Sequence, residues 1–225
     1  MTIIVRPLSV TGTESTNLAR RELMPASRPL VPLAVLATSF AVSVGVSLAA
    51  NGSPSLTGRV LRSGEIAGYF QHGSRLRPLS LKPFVRATGD GRQGGKIMRR
   101  YGFVAGAFED LIGPTPIPGG NGSTSSVIQF ATTTAAGAVL RVITNTYYRK
   151  GPGGGIKLVR FNSGGIARAT WAHFSGSSAK GTINEWQVLF AAGPYFYDED
   201  ILSLGSALTQ HAFVKSMRDF YQRVR

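Results

Sequence analysis

The chain holds no cysteine and only three histidines, His72, His173 and His211, and these counts limit its chemistry. Without a thiol there is no cysteine nucleophile, no Cys-based zinc or iron–sulfur site and no lipid-modified cysteine. No two histidines stand at metal-ligand spacing. His173 falls between Trp171 and Phe174, which suits a half-buried aromatic patch better than a general base. Ser177-Ser178-Ala179-Lys180 has Ser-x-x-Lys spacing, but that chemistry needs the Ser at a helix N-terminus, and here the tetrad sits in a Gly176–Gly181 turn. Gly91–Lys96 (GRQGGK) fails as a phosphate loop. Asp90 stands where its first Gly belongs, and Ile97 where Ser or Thr would hold the metal. No G-x-S-x-G elbow occurs. Asp198-Glu199-Asp200 concentrates acids after an aromatic run and could seat a divalent cation, although a solvated loop is the expectation. No catalytic residue, metal or cofactor is therefore expected. The ligand-binding candidates are aromatic: Trp171, His173, Trp186, Tyr195 and Tyr197, with Tyr195 and Tyr197 sharing one face of a strand and Phe196 the other.

The elements that must position these residues read as strands interleaved with helices. Asn51–Gly64 has a tether's composition, and Glu65–Phe70 (EIAGYF) is apolar enough for a first strand. Leu81–Thr88 suits a short helix with Pro83 in its first turn. Gly89–Gly95 reads as a Gly-rich loop, Lys96–Tyr101 as helical, Phe103–Leu111 as a strand and Gly113–Gly122 as a loop. Ser125–Ala131 is β-branched and alternating; Thr132–Thr134 then caps an Ala135–Tyr148 helix, which Lys150–Gly155 ends. In the second half, Ile156–Phe161 alternates as a strand and Ile166–Phe174 reads as a short bridge. Ile183–Ala191 and Tyr195–Tyr197 pair across Ala192-Gly193-Pro194, and Ser206–Val224 closes as an amphipathic helix. The expected fold is α+β: an antiparallel sheet packed with helices, in two loosely similar strand–helix halves, preceded by an apolar signal or anchor helix.

That apolar segment, Leu30–Ala50 (LVPLAVLATSFAVSVGVSLAA), is 21 residues without a charge. Its length suits a bilayer span. Its Ser, Thr and Gly content, Pro32 and the small residues of Ser47-Leu48-Ala49 suit a cleavable export signal. Arg6, Arg20, Arg21 and Arg28 precede it against Glu14 and Glu22, so the region on its C-terminal side is expected outside the membrane. Arg20-Arg21-Glu22-Leu23-Met24 has the outline of a twin-arginine signal as well as of an ordinary leader. Residues 1–50 are thus read as export signal or anchor, 51–64 as linker and 65–225 as one extracytoplasmic domain.

The net charge is +14. A basic domain outside a membrane fits anionic envelope polymers or lipid headgroups, and the membrane itself if the leader is retained. Nucleic acid is not an expected partner there, and a monomer is expected. Gly102–Gly106 (GFVAG), the Val127–Phe130 strand entering an Ala-rich helix, Phe190–Tyr197 (FAAGPYFY) and the terminal Tyr221–Val224 together resemble a set of exported actinobacterial proteins, uncharacterised in function, some lipid-anchored, related in pattern to extracytoplasmic sensor domains. The resemblance covers about residues 65–225 and carries over no functional residue. The missing cysteine departs from the lipid-anchored and disulfide-bearing members, which implies a soluble or single-pass form. The expected function is a non-enzymatic binding or sensor-like domain at the envelope. An envelope hydrolase and a nucleic-acid-binding basic protein are the alternatives.

Overall fold

The computed structural model describes residues 55–72, 77–89, 91–114, 123–150, 157–178 and 181–225. The leader 1–50, residues 51–54 of the tether and most of the loops expected at 113–122 and 150–155 lie outside these. Seven strands form one antiparallel sheet in the order β1-β2-β3-β7-β6-β5-β4. Their ranges are β1 Phe70–Gln71, β2 Phe103–Ile112, β3 Ser123–Phe130, β4 Lys157–Phe161, β5 Thr170–Ser178, β6 Gly181–Ala192 and β7 Tyr195–Leu204. Four α-helices, α1 Leu81–Thr88, α2 Gly91–Arg100, α3 Thr133–Lys150 and α4 Gln210–Val224, cover it. The class is α+β, as the alternating apolar runs imply.

The sheet is buried on both faces, and its pleat sorts the core in two. Along β6, Trp186, Val188 and Phe190 face α4, and Leu189 and Ala191 face the other way. The first core joins these to Phe213, Met217, Phe220 and Val224 of α4 and to Val60, Leu61, Ile66 and Tyr69 of the segment before β1. The second core packs Phe84 of α1, Met98 of α2 and Ala136, Val139, Leu140 and Ile143 of α3 on Ile128, Phe130, Phe174 and Phe196. The helices α3 and α4 therefore lie on opposite faces. The two halves share an order of elements, hairpin then helix, and are not related by a rotation that keeps the sheet's faces.

The local signals explain several boundaries. Thr132 Oγ1 accepts from Ala135 N–H at 3.1 Å and Thr209 Oγ1 from Ala212 N–H at 3.2 Å, so α3 and α4 start at capping threonines. The β6–β7 turn has Gly193 at φ +56°, the positive backbone angle a two-residue hairpin needs. Elsewhere, packing overrode local preference. Gly91–Gly95 is the start of α2 and not a loop: Gly94 is buried with Met98, and Gly95 lies in van der Waals reach of Val85 on α1. Glu65–Phe70 is a pair of tight turns, with Gly64 at φ +83° and Gly68 at φ +81°; the strand β1 is only Phe70–Gln71. Ile166–Phe174 is no bridge; from Thr170 it is β5, hydrogen-bonded to strands on both sides. Asp198–Asp200 is no loop; it is the middle of β7, whose partners β3 and β6 supply the ladder that three acids alone would not favour. Of the stretch expected as tether, Leu56–Arg59 forms a 3-10 turn, and Arg59, Val60 and Leu61 are buried against the sheet.

Candidate functional site

The aromatic candidates converge on one face, the face under α4. Trp171 and Trp186 lie edge-on or tilted to Phe213 at 6.0 and 6.2 Å, with Phe161 against both. Tyr197 stacks on Phe190 at 4.5 Å and 9° and meets Phe220 edge-on. Trp171, Trp186 and Tyr197 are buried, so their rings are mostly surrounded by the fold's own side chains. His173 is half-buried. It stacks on Trp186 at 3.9 Å and 9°, and its Nε2 pairs with Asn184 Oδ1 at 2.9 Å; Asn184 Nδ2 in turn donates to Gly205 O. Tyr195 is half-buried beneath the guanidinium of Arg59, 3.9 Å from its ring centroid. The structure thus brings four of the five into one aromatic layer, with Tyr195 at its end near the β6–β7 turn.

Arginines bind that layer's edge. The Arg59 guanidinium donates to Tyr197 Oη at 3.0 Å and to Val224 O, joining the incoming chain to the last turn of α4. Arg223 reaches back from α4 to the same segment. It donates to Gly58 O at 2.5 Å and Val60 O at 2.9 Å, and grips Glu65 through both oxygens at 2.5 and 2.7 Å. The segment 56–69 is therefore a strap held over the sheet by one helix end. Burial pushes the Tyr197 hydroxyl up to about 12, against the lowering pull of Arg59.

A second polar constellation crosses the middle of the sheet, and sequence reasoning caught only its β7 part. On the α4 face, Glu109, Ser125 and Glu199 are register partners on β2, β3 and β7, all buried. Ser125 Oγ accepts from Leu61 N–H at 2.8 Å. Burial holds the Glu199 carboxyl well above the ordinary carboxylate range, and burial together with Asp110 raises Glu109. On the opposite face, Asp110, Thr124, Asp200 and Gln187 align across four strands, with Asp198 and Glu185 on the flanking rows. Gln187 Nε2 donates to Asp198 Oδ1 at 2.8 Å. Burial lifts Glu185 to about 8, Asp198 adds to the rise, and a hydrogen bond with Asp200 opposes it. Glu185 Oε1 is buried without a hydrogen-bond partner. Burial thus favours the protonated form of Glu185, an arrangement that can store a proton or accept hydrogen bonds from an amine or hydroxyl. The pleat splits Asp198 and Asp200 from Glu199, and among the described residues no three His, Asp or Glu side chains are placed to hold a metal ion. The missed members, Glu109, Glu185 and Gln187, lie on β2 and β6, far in sequence from Asp198–Asp200, and only the register brings them together.

No family model and no curated protein matches the chain. A solved structure, the extracellular domain of PknH from Mycobacterium tuberculosis, is similar over 74% of this chain and 95% of its own, at 12% identity and a TM-score of 0.47.

Proposed function

We propose that residues 55–225 form an extracytoplasmic domain that binds rather than catalyses at the cell envelope, delivered by the uncharged segment 30–50. The observation that carries this reading is the leader itself. Four arginines against two glutamates precede 21 uncharged residues, and folded, core-forming sequence begins within six residues of their end. No helix among the described residues is long and apolar enough to cross a membrane. Binding is favoured because the sheet keeps acids that packing does not need. An apolar residue at 185 or 199 would fill a buried position at lower cost than a carboxyl, and such costs are retained where a site uses them. The test is a pair of reporters fused after Arg225, one active only outside the cytoplasm and one only inside. Activity of the outside reporter, lost when residues 30–50 are deleted, is the expected result. An active inside reporter would sink the reading and return the nucleic-acid alternative.

A further inference from the structure

The domain sorts its charges. Eight of the nine acids beyond residue 50 are described, and only Asp219, paired to Lys215 at 2.7 Å, is exposed. Glu65 is held by Arg223, and the other six sit in the strands. Apart from Arg59 and Arg223, which fasten the strap, exposed bases are common, and six of them lie on the α1–α2 hairpin. Lys82, Arg86, Arg92, Lys96, Arg99 and Arg100 are all exposed, and among the described residues none of them forms an ion pair. The only acid in this stretch of sequence is Asp90. Of the six, only Arg100 has a packing contact of its own among the described residues, its guanidinium 5.8 Å from the Tyr101 ring centroid. The hairpin is held from its other side, by Phe84 and Met98 in the core, and a base in the first turn of α2 opposes the helix dipole.

The hairpin's place matters as much as its charge. Phe84 lies over Gly106 and 5.8 Å from the Phe103 ring, so α1 sits on the first half of β2. The same end of the sheet collects the end of α2, through Gly102 N–H to Arg99 O, and the start of α3, through Ala131 N–H to Gly102 O. It also holds the β6–β7 turn, through Phe130 N–H to Pro194 O, and the incoming chain, through Arg59 on Tyr195 and Val224. Val104 is 53% exposed there, an apolar side chain close in sequence to Arg100. The sequence leaves five peptide steps between Ala50, the end of the uncharged segment, and Ser55. Fully extended, that reaches about 18 Å at most.

We infer that this end of the domain, led by the basic α1–α2 hairpin, docks on anionic lipid headgroups at the membrane surface. The inference rests on the envelope reading above. A lipid surface fits better than a soluble polymer because the short link holds this end close to the bilayer whenever segment 30–50 is in it. An exposed valine four residues after Arg100 also suits a headgroup layer. Each base near such a surface strengthens binding several-fold, and salt screens the effect.

The absence of cysteine makes the test clean. Full-length protein carrying a fluorophore at Val104→Cys, or at Ser206→Cys beyond the far end of β7, is reconstituted into vesicles of phosphatidylcholine alone or with one third phosphatidylglycerol, both with headgroup nitroxide quenchers. On anionic vesicles the 104 probe is expected to be quenched at least twofold more than the 206 probe. That difference disappears in neutral vesicles, at 0.5 M salt, and with Lys96→Glu, Arg99→Glu and Arg100→Glu combined. Equal quenching at 104 and 206, or a difference that survives the charge reversals, overturns the inference. So does a 104 probe that stays unquenched on anionic vesicles and is shielded only by added polyphosphate, since the charge would then serve a soluble polyanion. Circular dichroism on the triple variant must show a folded domain; if it does not, Arg92→Glu with Lys96→Glu replaces it. A cytoplasmic reporter result would defeat the envelope reading without altering the vesicle outcome, so the two failures are distinguishable.

Discussion

Replacing Arg223 by alanine tests whether one side chain fastens the strap to the sheet. The guanidinium makes four hydrogen bonds, two to the carbonyls of Gly58 and Val60 and two to the Glu65 carboxylate. The ion pair is partly buried, with side-chain exposures of 19% and 23%. Two carbonyls that lose a charged donor cost about 1 kcal/mol each where water replaces it poorly. The abandoned Glu65, with its lost bidentate pair, adds about 1–2 kcal/mol, short of the roughly 3–5 kcal/mol of a fully buried pair. Loss of the guanidinium's packing over the Phe220 ring, 5.0 Å away, adds a fraction more. The expected destabilisation is about 3–4 kcal/mol, or roughly 8–14 °C in Tm for a domain of this size. Urea unfolding, followed by tryptophan fluorescence and circular dichroism, measures it. Arg223→Lys keeps the charge but cannot serve all four acceptors, and recovers about half. A double-mutant cycle with Glu65→Ala should give a coupling of about 1–2 kcal/mol. A loss below about 1 kcal/mol for Arg223→Ala, or a cycle that is additive, would refute the strap argument.

Two further outcomes rest on buried groups. Glu185 stands at about 8 in the folded protein against an ordinary 4.5, so the folded state keeps a proton that the unfolded chain has released. Its contribution is whole below about pH 4.5 and is lost as pH rises through about 8, and the rise in Glu199 acts in the same direction. Stability should therefore fall between about pH 5 and 9, and Glu185→Gln, which keeps a donor for Asp200, should flatten that slope and be more stable than the parent at about pH 9 by about 2–4 kcal/mol; parallel pH profiles for the two proteins would contradict it. Gly106→Ala places a Cβ 2.2 Å from the Phe84 ring, which is fully buried, and should cost about 2–3 kcal/mol in urea unfolding, with Phe84→Leu restoring part of it; a neutral Gly106→Ala would mean that α1 is not seated on β2 as described.

By itself, the sequence determined what local chemistry controls. The β-branched Ser125–Ala131 run, the threonine that starts α3, the apolar stripe of α4 and the Gly193 turn are legible because each is decided within a few residues by capping, periodicity or backbone angle. The uncharged 30–50 segment and the net positive charge are equally plain in composition. Tertiary structure alone decided the rest. Gly91–Gly95 became helical although glycine disfavours helix, as the start of α2, whose Gly94 and Met98 are buried in the fold. Asp198–Asp200 became a central strand because β3 and β6 hold its backbone on both sides. Leu56–Leu61, polar and Gly-bearing enough to pass for a tether, joined the core because Arg223 and Arg59 meet its carbonyls and Tyr197 from 138 or more residues away. The aromatic candidates were legible as residues but not as a layer. Trp171, His173, Trp186 and Tyr197 share a face through strand register, and α4, which buries most of them, arrives from the far end of the chain. Long-range pairing carries no local signature, and that is why the acids of β2, β6 and β7 became one constellation only when the strands were placed side by side.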